Sequence, residues 1–136
     1  MLVDILGAVV EILGATVGES KAEERKERDA FAEGRVVFFE GCVTGARPYC
    51  RPTAEFLQAS VGALAISPLR AANVRARYLP SDLVLVEVRK RRDGDPKTVE
   101  KNWTVFECRD GRDVVLIGCA SGNAGYVRRA LRFEDA

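Results

Sequence analysis

The stretch WTVFECRDGRDVVLIGCA, residues 103–120, decides the fold of this chain. Two apolar segments, 103–108 and 113–119, flank the polar tetrapeptide RDGR. An Asp-Gly pair tolerates the positive φ that a tight turn requires, and apolar segments on both sides of such a pair are typical of a hairpin. The stretch therefore predicts two antiparallel strands joined by a short turn.

Apolar residues at strand spacing recur before this hairpin, and helical spacing follows it. The segment SGNAGYVRRALRF (121–133) places apolar residues on one helical stripe, with Ser121 or Asn123 as the N-cap. The sequence thus predicts a mainly β fold with six or seven antiparallel strands and a C-terminal capping helix. The additional strands are expected at 35–43, 59–67, 73–79 and 82–90, and the first strand of the hairpin is expected within 98–108. The expected core is Phe38, Leu64, Ile66, Val74, Tyr78, Val84, Val86, Val105, Leu116, Val127 and Leu131.

Residues 59–132 resemble a prokaryotic pleckstrin-homology-like (PH-like) domain. The resemblance rests on a Gly-x-Leu-x-Ile strand, a Pro-x-Asp-Leu segment that enters the next strand, a turn containing glycine and a C-terminal helix. It implies a small, partly open barrel of about seven strands in two near-orthogonal sheets, with the helix at one end. The matching residues are Gly62, Leu64 and Ile66; Pro80, Asp82 and Leu83; Asp110 and Gly111; and Tyr126 to Leu131.

The first 33 residues differ in character from the rest and are predicted to form an N-terminal helical arm, with Gly34 as the stop signal and a domain at 34–136. The arm carries a net charge of −4 on a chain of net charge +1, so residues 34–136 carry +5.

The first basic residue of the arm is Lys21, which disfavours a secretory signal. Asp4 and Glu11 disfavour a membrane span. An apolar stripe predicts a contact helix for self-association: Leu2, Ile5, Leu6, Val9, Leu13 and Val17. Packing on its own barrel and membrane contact remain the alternatives.

The composition argues against catalysis and against cofactor or metal chemistry. The chain has no histidine, which removes the commonest general base and a leading metal ligand. The sequence contains no phosphate-binding loop, and its four cysteines lack the spacing of a zinc hook. A net charge of +1 disfavours a nucleic-acid partner. We therefore predict a non-enzymatic protein without cofactor or metal.

Basic residues in two loops supply the candidate sites for an anion. In eukaryotic relatives of the PH-like fold, basic side chains near the first hairpin loop hold phosphorylated lipid headgroups, which suggests a lipid surface as one partner. A charge run is, however, most often a solvated face. The candidate anion or lipid-headgroup ligands are Arg47, Arg51, Arg89, Lys90, Arg91 and Arg92.

The cysteines predict buried free thiols, with one alternative. Cys42 and Cys50 flank a loop, and a three-residue turn at 45–47 would place them opposite each other on paired strands. A disulfide between them is therefore considered, although disulfides are rare in intracellular proteins outside thermophiles.

Two functions follow from these expectations. The first is a cytoplasmic interaction or scaffold module that forms a homo-oligomer or docks a protein partner through its apolar arm. The alternative is a peripheral membrane module that binds anionic lipid headgroups through the basic loops.

Overall fold

The computed structural model describes residues 22, 25, 26 and 28–133. The chain divides into two units, Met1–Arg35 and Val36–Ala136. Within the first unit, residues 22, 25, 26 and 28–32 are helical. Residue 33 lies in a turn, and the rest of the predicted arm is outside the described residues. The residues predicted for self-association all fall in that part: Leu2, Ile5, Leu6, Val9, Leu13 and Val17.

The second unit is one antiparallel sheet of seven strands with a short C-terminal helix. This confirms the mainly β fold and the closing helix that the sequence predicts. The strand order across the sheet is β4-β3-β2-β1-β7-β6-β5, so β4 and β5 form its edges. The strands are β1 (Val37–Gly45), β2 (Glu55–Ser60), β3 (Ala63–Ser67), β4 (Arg77–Tyr78), β5 (Val84–Lys90), β6 (Trp103–Asp110) and β7 (Asp113–Ala120), followed by a 3₁₀ turn (Ser121–Asn123) and the helix Ala124–Leu131.

Strand β1 joins two antiparallel meanders. Its first half pairs with β2, and its second half pairs with β7; Gly41 belongs to both ladders. A Cβ atom at Gly41 would lie 2.5 Å from Cδ1 of Leu57 and 2.7 Å from the carbonyl oxygen of Gly118. Only glycine therefore allows the neighbouring strands to approach this closely.

One face of the sheet, the inner face, holds the main core. Strand register places Val43, Ile117 and Phe106 in one row on this face, and all three are fully buried. The C-terminal helix packs near β2 and β3 and contributes Tyr126, Val127, Ala130 and Leu131 to the buried set. The Phe39 and Tyr126 rings lie 5.9 Å apart between centroids. The apolar stripe predicted for this helix thus covers the inner face.

The opposite face, the outer face, has a second and smaller core. Cys42, Val99, Trp103 and Val105 form a buried cluster, against which Leu116 packs. Val99 comes from the loop between β5 and β6, residues 91–102. This loop therefore covers the half of the outer face that carries the cluster.

The predicted core is correct in β3, at Val105 in β6 and in the C-terminal helix, and wrong at the sheet edges and in β1. Leu64, Ile66, Val105, Val127 and Leu131 are buried as predicted, and Leu116 is half-buried against the outer cluster. In β1 the predicted phase is reversed, because Phe39 is buried and Phe38 is only half-buried. Both phenylalanines are equally apolar, so the choice between them depended on which face the helix covers.

Four predicted core residues are exposed: Val74, Tyr78, Val84 and Val86. The strand predicted at 73–79 is reduced to Arg77–Tyr78 at the edge of the sheet, so its side chains have a neighbouring strand on one side only. In β5 the register shifts between Leu85 and Glu87, and this bulge changes which residues face inward. The single strand predicted at 59–67 is instead two strands separated by a turn at Val61–Gly62, where Gly62 has a φ of +81°.

Candidate binding cleft

An open cleft of about 490 Å³ lies where the loop after β1, strand β4 and the end of β6 meet. Two tyrosines, two prolines and two arginines dominate its walls. Aromatic walls with a few polar groups are typical of ligand pockets and protein contact sites. The lining residues are Arg47, Pro48, Tyr49, Arg77, Tyr78, Pro80 and Asp110.

The β6–β7 hairpin places two carboxylates beside Arg47, and one of them, Asp110, lines the cleft. Asp110 and Asp113 are partners across the turn, so both lie at the same end of the sheet. Arg47 approaches Asp110 (Nε to Oδ2, 3.0 Å) and Asp113 (Nη1 to Oδ2, 3.4 Å). The hydrogen bond with Asp113 and the charge of Asp110 raise the pKa of Arg47. The charge of Arg47 is therefore already balanced within the protein.

Polar contacts within the cleft also hold Tyr49 and Arg77 in place. The Tyr49 hydroxyl donates a hydrogen bond of 2.7 Å to Asp110 Oδ2. Burial, together with this hydrogen bond, raises the pKa of Tyr49, so the phenol stays protonated. Arg77 donates to the Tyr49 carbonyl oxygen at 3.2 Å and pairs with Glu55 at 2.5 Å (Nη2 to Oε1). Two arginines thus face three carboxylates, which leaves the cleft without excess positive charge.

Tyr78 is the most accessible aromatic side chain of the cleft, with 57% of its surface exposed. Its hydroxyl hydrogen-bonds to Asn73 Oδ1, which fixes the direction of the ring. The sequence predicts Tyr78 in the core and Asp110 in a turn, and neither as a residue of a binding site. The available signal was the proximity of each tyrosine to a proline, at Pro48-Tyr49 and at Tyr78-Leu79-Pro80.

The six predicted anion ligands do not form one group of free charges. Arg47 is paired in the cleft, and Arg51, on the same loop, donates from Nη1 to the Pro48 and Cys50 carbonyl oxygens, each at 2.7 Å. Lys90 donates to Ser121 Oγ at 2.7 Å. Arg91 is half-buried, and its Nε atom has no hydrogen-bond partner among the described residues.

Arg89 and Arg92 belong to an ion-pair cluster on the outer face. Arg89 donates to both Asp95 oxygens, at 2.7 and 3.1 Å, and to Glu107 at 3.3 Å. The Arg89 and Asp95 side chains are only 9% and 7% exposed. Arg92 lies 3.7 Å from Glu87 and 3.6 Å from Glu107. These contacts hold the loop 91–102 on the sheet. The anion-binding role of the basic residues stays a prediction.

All four cysteines are buried free thiols. Cys42 faces Gly118 on the outer face, whereas Cys50 lies beside Gly45, which has the opposite phase in β1. The two sulfur atoms therefore lie on different sides of the strand, and the Cys42–Cys50 disulfide is not formed. Burial raises the pKa of the Cys42 thiol to about 11. Burial also raises the pKa values of Cys108 and Cys119 to about 12, so these thiols are unreactive at neutral pH.

Within the described part of the chain, no group of three or more His, Cys, Asp or Glu side chains could hold a metal ion. No helix among these residues is long and apolar enough to cross a membrane. Comparison of the chain with protein-family models, with curated proteins and with solved structures finds no match in any of the three.

Proposed function

We propose that this chain is a non-enzymatic interaction module: a PH-like barrel that docks a protein segment and associates with further copies through its apolar N-terminal arm. The strand order supports the PH-like part of this proposal. The meanders β1–β4 and β5–β7 meet through β1 and β7, and the C-terminal helix packs on the inner face. This order is what a partly open seven-stranded barrel requires, with β4 and β5 at the opening.

The observation that carries the proposal is the charge balance of the cleft. Arg47 is occupied by Asp110 and Asp113, and Arg77 is occupied by Glu55. A phosphorylated headgroup would meet these carboxylates beside both arginines, and this repulsion disfavours the lipid alternative. The exposed Tyr78 ring and the adjacent prolines offer apolar and hydrogen-bonding surface at low conformational cost, which suits a peptide.

The self-association part of the proposal rests on the sequence of the arm. Its apolar stripe is too long to stay in contact with water on a monomer, and its net charge is opposite to that of residues 34–136. Opposite net charges favour contact between the arm and the body of another copy.

Selection of random twelve-residue peptides on the full chain tests the docking function. We expect selected peptides to lose about tenfold in affinity with Tyr78→Ala, because the exposed ring would be a contact anchor. Val61→Ala, at a turn residue that is 56% exposed, is the matched control and should leave binding unchanged.

A selection without specific peptides, or peptides that bind the Tyr78→Ala protein equally well, would overturn the docking function at this cleft. Phosphatidylserine vesicles are the second arm of the experiment. Co-sedimentation of the full chain with these vesicles, lost on Arg51→Glu, would support the lipid alternative instead.

A further inference from the structure

The outer face of strands β5 to β7 is covered at one end and exposed at the other. Strand register places Val84, Arg109 and Val114 side by side on β5, β6 and β7. Val84 is 61% exposed and Val114 is 43% exposed. We call these three residues, Val84, Arg109 and Val114, the valine patch.

The valine patch continues the covered part of the same face. Along β6, the outward positions run from Trp103 and Val105, which are buried with Val99, through Glu107 to the exposed Arg109. The loop 91–102 therefore covers the first half of this face and leaves the second half open. Two exposed valines beside one charge that is unpaired among the described residues, continuous with the buried cluster of the same face, favour a protein contact.

The chemistry of the patch specifies its occupant. Arg109 is exposed and takes part in no ion pair with the described residues, so the occupant must be apolar and carry acidic groups. The same patch of another copy is a poor occupant, since a twofold contact would place Arg109 near its own equivalent. Residues 1–20 fit better: they are rich in Leu, Ile and Val, they carry Asp4, Glu11 and Glu19, and they contain no Lys or Arg.

We propose that the valine patch is the docking surface for residues 1–20 of a second copy of this chain. The inference rests on the proposed self-association and adds the receiving surface. Burial of the valines would provide the apolar contact, while Arg109 would pair with a carboxylate of the incoming segment. The bulge in β5 disfavours the competing arrangement in which two β5 edges pair directly.

Sedimentation velocity of the full chain at about 1 to 100 µM tests the inference. Val84→Thr with Val114→Thr removes the apolar surface but keeps the branched shape, and it should weaken self-association about tenfold or more. Arg109→Glu should weaken it to a similar degree. Arg70→Glu is the matched control, because Arg70 is exposed, forms no ion pair with described residues and lies in the β3–β4 loop.

Charge reversal then identifies the occupant. Combining Arg109→Glu with Asp4→Lys and Glu11→Lys should restore self-association, because the opposite charges are exchanged. Failure of this rescue would overturn residues 1–20 as the occupant. Thermal unfolding of each variant confirms that the fold is retained.

The remaining outcomes separate the two proposals. A full chain that stays monomeric across the whole concentration range overturns both self-association and the docking surface. Self-association that is unaffected by the valine and Arg109 substitutions overturns only the docking surface. The docking surface is also overturned if Arg70→Glu weakens self-association as much as Arg109→Glu. Self-association would then depend on the net charge of the chain and not on the position of Arg109.

Discussion

The inner and outer faces of the same sheet are covered in different ways. A helix covers the inner face with apolar side chains, and the Phe39–Tyr126 and Phe106–Phe133 rings pack there. A loop covers half of the outer face, held by Val99 at one point and by the Arg89–Asp95 ion pair at another. The packing of the helix on the inner face depends on buried apolar area, whereas the packing of the loop on the outer face depends on a few directed contacts.

This difference predicts where the fold is most sensitive to substitution. Apolar burial contributes roughly in proportion to area and does not depend on direction. Removal of one partner from a buried ion pair is costly when the other charge is left without a partner. Glu107 would still pair with Arg89, so we expect substitutions in the buried apolar core of the inner face to cost more than removal of Asp95.

The largest effect is expected for Phe106→Ala, which removes a fully buried ring from the centre of the inner face. The Phe133 ring lies 6.2 Å away and Arg128 stacks over Phe106 at 5.7 Å, so the cavity has several walls that must collapse. We expect a loss of about 3–5 kcal/mol in the free energy of unfolding, measured by urea denaturation. Val61→Ala should stay within about 0.5 kcal/mol. A loss below about 1 kcal/mol for Phe106→Ala would contradict the helix-covered core.

A smaller effect is expected for Gly41→Ala, where β1 passes from β2 to β7. The new methyl group would meet Leu57 Cδ1 at 2.5 Å and the Gly118 carbonyl oxygen at 2.7 Å, and the backbone atom cannot move aside cheaply. We expect a cost of about 1–3 kcal/mol by thermal or urea unfolding. Gly122→Ala is the control, since no atom lies within 4 Å of its added methyl group. Equal stabilities of the two variants would show that β2 and β7 do not approach β1 this closely at Gly41.

Asp95→Ala tests the contacts that hold the loop 91–102 on the outer face. It leaves Arg89 without its bidentate partner and removes the acceptor of the Arg92 backbone N–H. Because Glu107 still contacts Arg89, we expect a loss of about 1–2 kcal/mol, in the lower part of the range for an interrupted buried hydrogen bond. Asp93→Ala in the same loop is exposed and serves as the control. A loss as large as that of Phe106→Ala would remove the distinction between the two faces.

The smallest effect is the pH dependence of the same ion pair. Hydrogen bonds from Arg89 and from the Arg92 backbone lower the pKa of Asp95 below its ordinary value. A carboxyl group whose pKa is lower in the folded protein than in the unfolded protein stabilises the fold. This contribution is complete at pH values above the unfolded pKa, about 3.9, and it is lost as the pH falls through the folded-state pKa. The stability difference between the wild type and Asp95→Ala should therefore be constant from about pH 7 to pH 5 and shrink below about pH 4. Urea denaturation at several pH values measures it, and a difference that persists undiminished at about pH 2 would contradict the shift.

The candidate cleft was only partly predictable. Arg47 could be selected from the sequence because it is a basic residue in a loop with prolines. Its partners could not, since Asp110 and Asp113 are more than sixty residues away in the chain and reach it only when β1 pairs with β7. The same limit applies to Arg89, whose charge looks free in the sequence but is taken by Asp95 and Glu107 in the folded chain.

The sequence by itself determined the elements whose signals are local. The Asp-Gly turn specified the β6–β7 hairpin, and helical spacing with flanking polar residues specified the C-terminal helix. These signals act over a few residues, because turn geometry and helical periodicity depend on neighbouring φ and ψ angles.

Only the tertiary structure decided which face of each strand is buried and which charges are neutralised. Phe38 and Phe39 are equally apolar, and the position of the helix selected Phe39 for the core. In β5, the bulge and the edge position left Val84 and Val86 exposed, although their sequence is that of a core strand. Burial and ion pairing depend on partners that are remote in the chain, so no local pattern contains them.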